Sequence, residues 1–456
     1  MLNKLFLNKK TIFLFGTIVA YLGLFFARSF PIYALTFIWF FFITYIYLAD
    51  IKKAVFLTSL FALPYSQGRS FLSIDDTNLF TVTPFAVSVL VLSVLSIKDK
   101  LSYQIDRKDI LLFLFFVSGI VSYLFANTSF AVLNGILRLS IYILFYILAK
   151  RYLSDEKIKR MCIFILISMV IFESGLTILQ FGIGHPFGKY IEEVVKTSPY
   201  GKFWDEDYTV FRPTGTFKGP NSLSSFLTII LPFIFLLRRK TVKFLILLSA
   251  LVAIFLSFTR FSWMMSILVL IIVFWLTKPK INFSRLKLAA VIPTVFLLGL
   301  TVLILFPYFQ YKISLTGFSI TDISSIDTRM KLNREAISLV AQYPVFGVGL
   351  NQFSDFAVEN NITGIFKLLP NIIVHNVPLL ISAEIGIPAL VFFMCFVFFS
   401  YSRYFISRKR LDKNDRDFKD IAALGGLIYF LEANMVTLFP APHFSLFLLY
   451  MAIINS

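Results

Sequence analysis

Apolar runs of about 17 to 22 residues recur from one end of this chain to the other, each long enough to carry a helix across the roughly 30 Å hydrocarbon core of a bilayer. In that solvent every backbone amide must find its partner inside the protein, so helices are the element these runs can form. The composition agrees: 58% of residues are hydrophobic and 15% charged, with a mean hydropathy of +0.82, whereas soluble domains are about half apolar and ~25% charged. The fold class is therefore an all-α polytopic membrane protein. Candidate spans fall at about 11–27, 30–49, 53–64, 79–97, 109–126, 130–149, 160–181, 221–237, 243–257, 261–277, 288–308, 375–401, 420–439 and 443–455. The third and last are short, so the expectation is about 12 to 14 transmembrane helices. Thr11 to Ala27 lacks a small-residue cleavage site and more spans follow, so it reads as a retained helix rather than a signal peptide. Cys162 and Cys395 both lie within apolar runs and imply neither a disulfide nor a redox site.

With the N-terminus inside, 29 of the 43 Lys and Arg fall on inner segments and 13 on outer ones, leaving only Arg138 within the membrane. That bias orients the chain and accounts for its net charge of +18 without nucleic acid. Arg238-Arg239-Lys240, Lys278 to Lys287 and Arg403 to Lys419 read as topology signals facing the anionic leaflet. Two extracytoplasmic loops, 182–220 and 309–374, are long enough to suggest binding or catalysis. In the second, Leu332, Ala336, Leu339, Val340 and Tyr343 share one helical face, Asp327 offers an N-cap, and Pro344 and Gly347 offer a stop. An amphipathic helix over Arg329 to Tyr343, lying near the membrane surface, is the expectation. No internal repeat divides residues 1–456, which read as a single transmembrane domain.

Because outer basic residues are few, those present carry information. Arg212 opens F-R-P-T-G-T-F-K-G-P-N, a turn-rich stretch leading into a helix at Asn221. Arg260 sits in S-F-T-R-F-S-W between two helices, Arg329 and Arg334 on the amphipathic helix, and His375 with Asn376 where the chain re-enters the membrane. Each arginine alone is explained as well by snorkelling to the interface. Together they suit a diphosphate, since a guanidinium pairs bidentately with phosphate at any relevant pH. Histidine can hold or shuttle a proton near neutrality. Deeper in the membrane, Arg138, Glu173 and Glu432 each lie about eight residues, or ~12 Å, from the outer end of their helices, with Glu384 at comparable depth. Buried charges pair or face a cavity, so Arg138 is expected to be neutralised by Glu173, Glu432 or both, either fixing helix packing or lining a lipid groove. Asp205-Glu206-Asp207 has the bare letters of a cation site, but such triplets are common in loops, and His185, His375 and His443 are too scattered for zinc. Neither a phosphate-binding G-x-x-x-x-G-K-[ST] nor a G-x-S-x-G nucleophile elbow occurs.

From Arg212 to Leu390 these motifs resemble the O-antigen ligase and polymerase superfamily of bacterial surface-polysaccharide enzymes. The resemblance rests on F-R-P-T-G-T-F-K-G-P-N, S-F-T-R-F-S-W, D-T-R followed by Y-P-V-F-G-V-G-L-N-Q-F, and H-N with E-I-G after it. Asn333 departs from the family, which often has Trp after the loop arginine. The resemblance implies an enzyme of the bacterial inner membrane, acting on the extracytoplasmic face with no cofactor and no metal. It implies a polyprenyl-pyrophosphate-linked glycan donor, a glycan or lipid-linked acceptor, and a chain-length regulator or flippase as partner. Arg212, Arg260 and Arg329 would engage the donor pyrophosphate, and His375 would sit at the reaction centre. The acceptor proton would go to His375, or to Asp322 or Asp327. Polymerisation of repeat units, ligation to lipid A core or another acceptor, and lipid-linked oligosaccharide flipping remain separable readings. A transporter is expected to place functional charge at the midplane within repeated halves.

Overall fold

A computed structural model describes residues 9–27, 29–67, 83–97, 106–126, 129–188, 202–203, 210–217, 219–277, 320–360, 362–365, 373–433 and 442–456. The expected span at 288–308 and the Asp205-Glu206-Asp207 triplet lie outside these residues. The described residues form 16 α-helices and one short antiparallel ladder, Lys202–Phe203 against Val210–Phe211. The chain is an all-helical, polytopic membrane protein: Lys9–Phe26, Pro31–Leu48, Arg107–Phe125, Val132–Tyr152, Glu156–Ile183 and Ile387–Arg410 are long and apolar enough to cross a bilayer.

The first four helices, α1 (Lys9–Phe26), α2 (Phe30–Leu48), α3 (Ile51–Ala62) and α4 (Pro84–Ser96), pack in sequence. Helix α5 (Arg107–Val121) runs into a 3₁₀ turn at Ser122–Phe125, followed by α6 (Ser129–Tyr152) and the 28-residue α7 (Glu156–Ile183). Helix α7 contacts α3, α8 (Pro220–Ile230) and α9 (Lys240–Leu256). After α10 (Arg260–Thr277) come α11 (Ile320–Gln342), α12 (Phe353–Asn360), α13 (Val377–Ile385), α14 (Ile387–Ser407), α15 (Lys413–Ala433) and α16 (Pro442–Asn455).

The C-terminal helix is apolar on every side and accordingly buried on every side: Phe444 and Leu446 through Ile453 have no exposed surface. With only 14 residues it is too short to span, and several of its polar groups are met by protein. Asn455 donates to Tyr146 and Ser400, and the Tyr450 hydroxyl to the Ile229 carbonyl. The ion pairs joining described side chains gather at one end of the bundle, where Lys53 meets Asp155, Lys150 meets Asp106 and Asp109, and Arg408 meets Asp420.

Two expected continuous spans are broken. The 221–237 run is α-helical only to Ile230, then tightens to a 3₁₀ helix at Leu231–Leu236, since Pro232 has no amide hydrogen for an α-helical bond. The 375–401 run divides at Gly386, which lies at φ 98 and ψ 165, a region open essentially to glycine alone. Alongside the break runs the Tyr-Pro-Val-Phe-Gly-Val-Gly segment. Val348 N–H donates to Ala383, Gly349 N–H to Glu384, and Ile387 N–H to Pro344, so carbonyls orphaned by the helix end acquire donors. The two glycines make this approach sterically feasible: a Cβ on Gly347 would lie 2.3 Å from the Glu384 carbonyl carbon, and one on Gly386 2.0 Å from the Val345 oxygen.

Gly386→Ala should therefore lower the thermal unfolding midpoint in detergent: backbone strain alone costs about 1–3 kcal/mol, before the clash. Gly182→Ala, on α7 with nothing within 4 Å of the added methyl, should leave that midpoint unchanged or raise it. Equal midpoints for the two variants would contradict this account of the break.

Candidate functional site

Two side chains on one face of α7, seven residues apart, hold the Arg212 turn. Gln180 Oε1 accepts the Thr214 N–H (3.2 Å) and Gly215 N–H (2.9 Å), and its Nε2 donates to the Gly215 carbonyl (3.0 Å). Glu173 accepts the Thr216 N–H (3.1 Å) and the Thr216 hydroxyl (2.6 Å). The turn's amides thereby find partners inside an apolar bundle, where each missing bond would be expensive, while the buried Thr214 hydroxyl has none among the described residues. Gly215 has φ 56, and a Cβ there would sit 2.5 Å from Glu173 Oε2, so glycine is required on both counts. Phe217 closes the turn, buried against Phe226 at 4.8 Å between ring centroids.

This turn delivers Arg212 to the hairpin between α9 and α10. Its Nε donates to the Ser257 carbonyl (2.9 Å), and its Nη2 to Asn221 Oδ1 (3.1 Å) and Thr259 Oγ1 (3.4 Å); Thr259 in turn donates to Asn221 (3.0 Å). The hairpin is tight because Phe258 adopts φ 53, unusual for a bulky residue. Phe258 is buried, while Trp263 stacks on Phe255 and donates to the Ile254 carbonyl, fixing the turn. Arg260, the first residue of α10, is exposed there. Burial, and secondarily the charge of Arg260, pushes the Arg212 pKa down to about 10. At that value Arg212 remains cationic at neutral pH, with Arg260 beside it. That is an arrangement suited to an anion with more than one charge.

The second pair brings α11 to the start of α13, elements that pack together. Helix α11 begins at Ile320, nine residues before the expected start, because no Gly or Pro interrupts the intervening sequence; Asp327, expected as an N-cap, lies inside the helix. Leu332, Ala336 and Leu339 are buried and Arg334 is exposed. Arg329 is half-buried, its pKa lowered by that burial. The His375 pKa falls to about 4, through burial first and the Arg329 charge second, so the imidazole is neutral at physiological pH. Its Nδ1 is buried and has no hydrogen-bond partner among the described residues. Asn376 is the N-cap of α13: its Oδ1 accepts the Leu379 N–H (3.1 Å), and its backbone carbonyl the Leu380 N–H.

The three intramembrane carboxylates meet three different segments of the chain. No ion pair among the described residues joins Arg138 to Glu173 or Glu432. Glu173 holds the Arg212 turn; Glu432, fully buried on α15, lies 3.5 Å from the Ser262 hydroxyl; Glu384 accepts the Phe353 N–H (3.2 Å) at the start of α12. Depth along a helix shows how far a charge is from water, not which irregular segment folds down to meet it. Sequence reasoning also passed over Glu335 and Gln180. Glu335 is fully buried and accepts the N–H (2.6 Å) and hydroxyl (2.8 Å) of Thr363. Its signal was present, a carboxylate on the apolar face between Leu332 and Leu339.

Glu173→Ala removes the acceptor of two hydrogen bonds and leaves Thr216 unsatisfied, a loss of roughly 2–3 kcal/mol. Gly215→Ala adds about 1–2 kcal/mol of left-handed backbone strain to a clash. Both should lower the unfolding midpoint, and both should abolish protection of the Thr214–Thr216 amides in hydrogen exchange. Protection unchanged in Glu173→Ala would rule out the clamp.

Residues 244–394 match a protein-family model described as O-Antigen ligase. The matched stretch contains the hairpin with Arg260, helix α11 with Arg329, the Tyr343–Phe353 segment, His375 and the break at Gly386; Arg212 and Glu173 precede it. A comparison with curated proteins gives no match. The matched residues supply both the Arg329–His375 pair and the hairpin that receives Arg212. Residues 244–394 of this polytopic membrane protein are thus similar to the O-antigen ligase family.

Proposed function

We propose that this chain is a glycosyltransferase of a bacterial cytoplasmic membrane, a bundle of about 12 to 14 transmembrane helices that works without metal or cofactor. It takes a glycan from a polyprenyl-pyrophosphate donor on the extracytoplasmic face and joins it to an acceptor hydroxyl, extending surface polysaccharide by repeat units. The observation that carries this reading is His375, a neutral imidazole with a buried, open Nδ1, set against the charge of Arg329. Arg212 and Arg260, adjacent to each other at the hairpin between α9 and α10, add a second cationic pair.

Polyprenyl diphosphate is already a good leaving group, so the protein's work is to position the acceptor and stabilise charge on the diphosphate. The acceptor oxygen bonds to the anomeric carbon as the bond from that carbon to the diphosphate oxygen breaks. The bonding electrons pass to the diphosphate, where Arg212, Arg260 and Arg329 meet them. The acceptor proton passes to His375 Nδ1. Direct displacement inverts the anomeric centre, and a product with retained configuration would exclude it. In the resting protein His375 is a weak base, because it is buried beside Arg329. Bound diphosphate offsets that positive charge and raises the histidine's proton affinity when a proton must be accepted. The base is thus strengthened by the substrate itself.

The family description supports a second reading, ligation of the glycan to lipid A core or another acceptor. Cells lacking the protein distinguish these outcomes. Surface glycan cut to one repeat identifies a polymerase, and full-length polymer stranded on the carrier identifies a ligase. Carrier-linked repeats accumulating on the cytoplasmic side would identify a flippase and overturn the enzyme reading. A chain-length regulator and the flippase that delivers the donor are the partners this reading implies.

His375→Ala and Arg260→Ala should each reduce product at least ~10²-fold with normal membrane insertion; full activity in both would place the site elsewhere. The acid limb of kcat should lie at higher pH than that of kcat/KM, because the bound donor raises the histidine pKa. Arg329→Gln should move the kcat/KM limb upward as well, since removing a positive neighbour favours the imidazolium. Coincident limbs in all three profiles would exclude His375 as the base. For topology, a cysteine at Glu359 should react with a membrane-impermeant thiol reagent from outside, and one at Lys409 only after permeabilisation, with Cys162 and Cys395 replaced by serine.

A further inference from the structure

At the end of the bundle opposite Arg212 lies a cleft of about 950 Å³, between the start of α7, the segment joining the 3₁₀ turn to α9, and the start of α15. Six cationic side chains line it: Lys159, Lys243 and a group of four, Arg160, Arg238, Lys413 and Arg416. None of the four makes an ion pair or side-chain hydrogen bond among the described residues. The acidic residues of the cleft are mostly committed elsewhere. Lys159 pairs with Glu156 (2.7 Å) and Asp415 (2.6 Å), and Arg408 holds Asp420 through two bonds (2.6 and 2.7 Å). Only Asp417 remains against the four cations.

Arg238, Lys413 and Arg416 fall in the patches read as membrane-orientation signals, a role that requires no convergence. Their convergence on one concavity is a different property. The same cleft has an apolar floor, with Ile163, Leu237, Val273 and Ile421 beneath the basic rim. Tightening of the chain at Leu231–Leu236 leaves the Phe235 carbonyl without a helical partner, and Lys243 donates to it at 2.8 Å, steadying that wall. A soluble anion would use the rim alone. An amphipathic lipid would use both, with its phosphate among the guanidinium groups and its glycerol esters and upper acyl chains on the floor.

We propose that this cleft binds the headgroup phosphate of an anionic phospholipid of the adjoining leaflet. This goes beyond glycan transfer and does not depend on it. The test uses the purified full chain and a triple variant, Arg160→Gln, Arg238→Gln and Arg416→Gln, with Lys409→Gln/Arg410→Gln as a control outside the cleft. Each is reconstituted in nanodiscs of phosphatidylethanolamine with and without phosphatidylglycerol, then released for native mass spectrometry. The wild type and control should retain phosphatidylglycerol preferentially. At ~1 kcal/mol per basic residue near the surface, the triple variant should lose that preference by at least about tenfold. Equal retention by wild type and triple variant would overturn the proposal. So would inorganic phosphate stabilising the wild type against heat as strongly as phosphatidylglycerol, which would make the cleft a soluble-anion site. Should the triple variant fail to accumulate, Arg160→Gln and Arg238→Gln singly, both at exposed positions, carry the same comparison with reductions of a few-fold each.

Discussion

Glu173 and Gln180 on α7 reach the backbone of a turn that could not otherwise enter the bundle. An apolar interior penalises a bare carboxylate or carboxamide, and it penalises an irregular backbone as much. Here the two costs offset one another: five hydrogen bonds join the two side chains to the turn between Thr214 and Thr216. Everything downstream depends on this. The turn sets where Arg212 emerges, Arg212 takes the Ser257 carbonyl left at the end of α9, and the hairpin so held positions Arg260.

The second irregular segment follows the same physical rule by other means. At the break between α13 and α14, the donors come from a passing backbone, and two glycines permit an approach that a single methyl would prevent. Helix breaks inside a membrane protein are tolerated where protein or a water-lined cavity meets the freed groups. The first irregular segment carries Arg212, and the second packs on the helix that follows His375. The stiff parts of the bundle span, and the specially satisfied parts carry or adjoin the residues proposed for the chemistry.

Much of this was readable from the chain alone, and the failures have a common cause. Hydrophobic run length exposes the spans, because bilayer thickness converts directly into residue number. Arg260, Arg329 and His375 stood out because charged and titratable groups are sparse on the outer loops. Partnership was not readable in the same way. Glu173, Glu432 and Glu384 lie at similar depths, which suggested a shared layer with Arg138, yet Glu173 and Glu384 accept backbone N–H groups of different irregular segments and Glu432 faces Ser262. Asn376 sits beside His375 but caps a helix. A periodicity argument locates the buried face of α11; that Glu335 on this face binds Thr363 depends on a turn whose position no local pattern encodes.

The central claim is that fixed arginines and a neutral histidine transfer a glycan from a lipid diphosphate. Purified protein in proteoliposomes, given a polyprenyl-diphosphate-linked repeat unit, excess chelator and no other protein, tests it most directly. Chromatography of the lipid fraction should show free polyprenyl diphosphate appearing in step with lengthened or transferred glycan, with an inverted anomeric bond. Lipid-linked substrate that crosses the membrane intact, with no diphosphate released, would contradict the account.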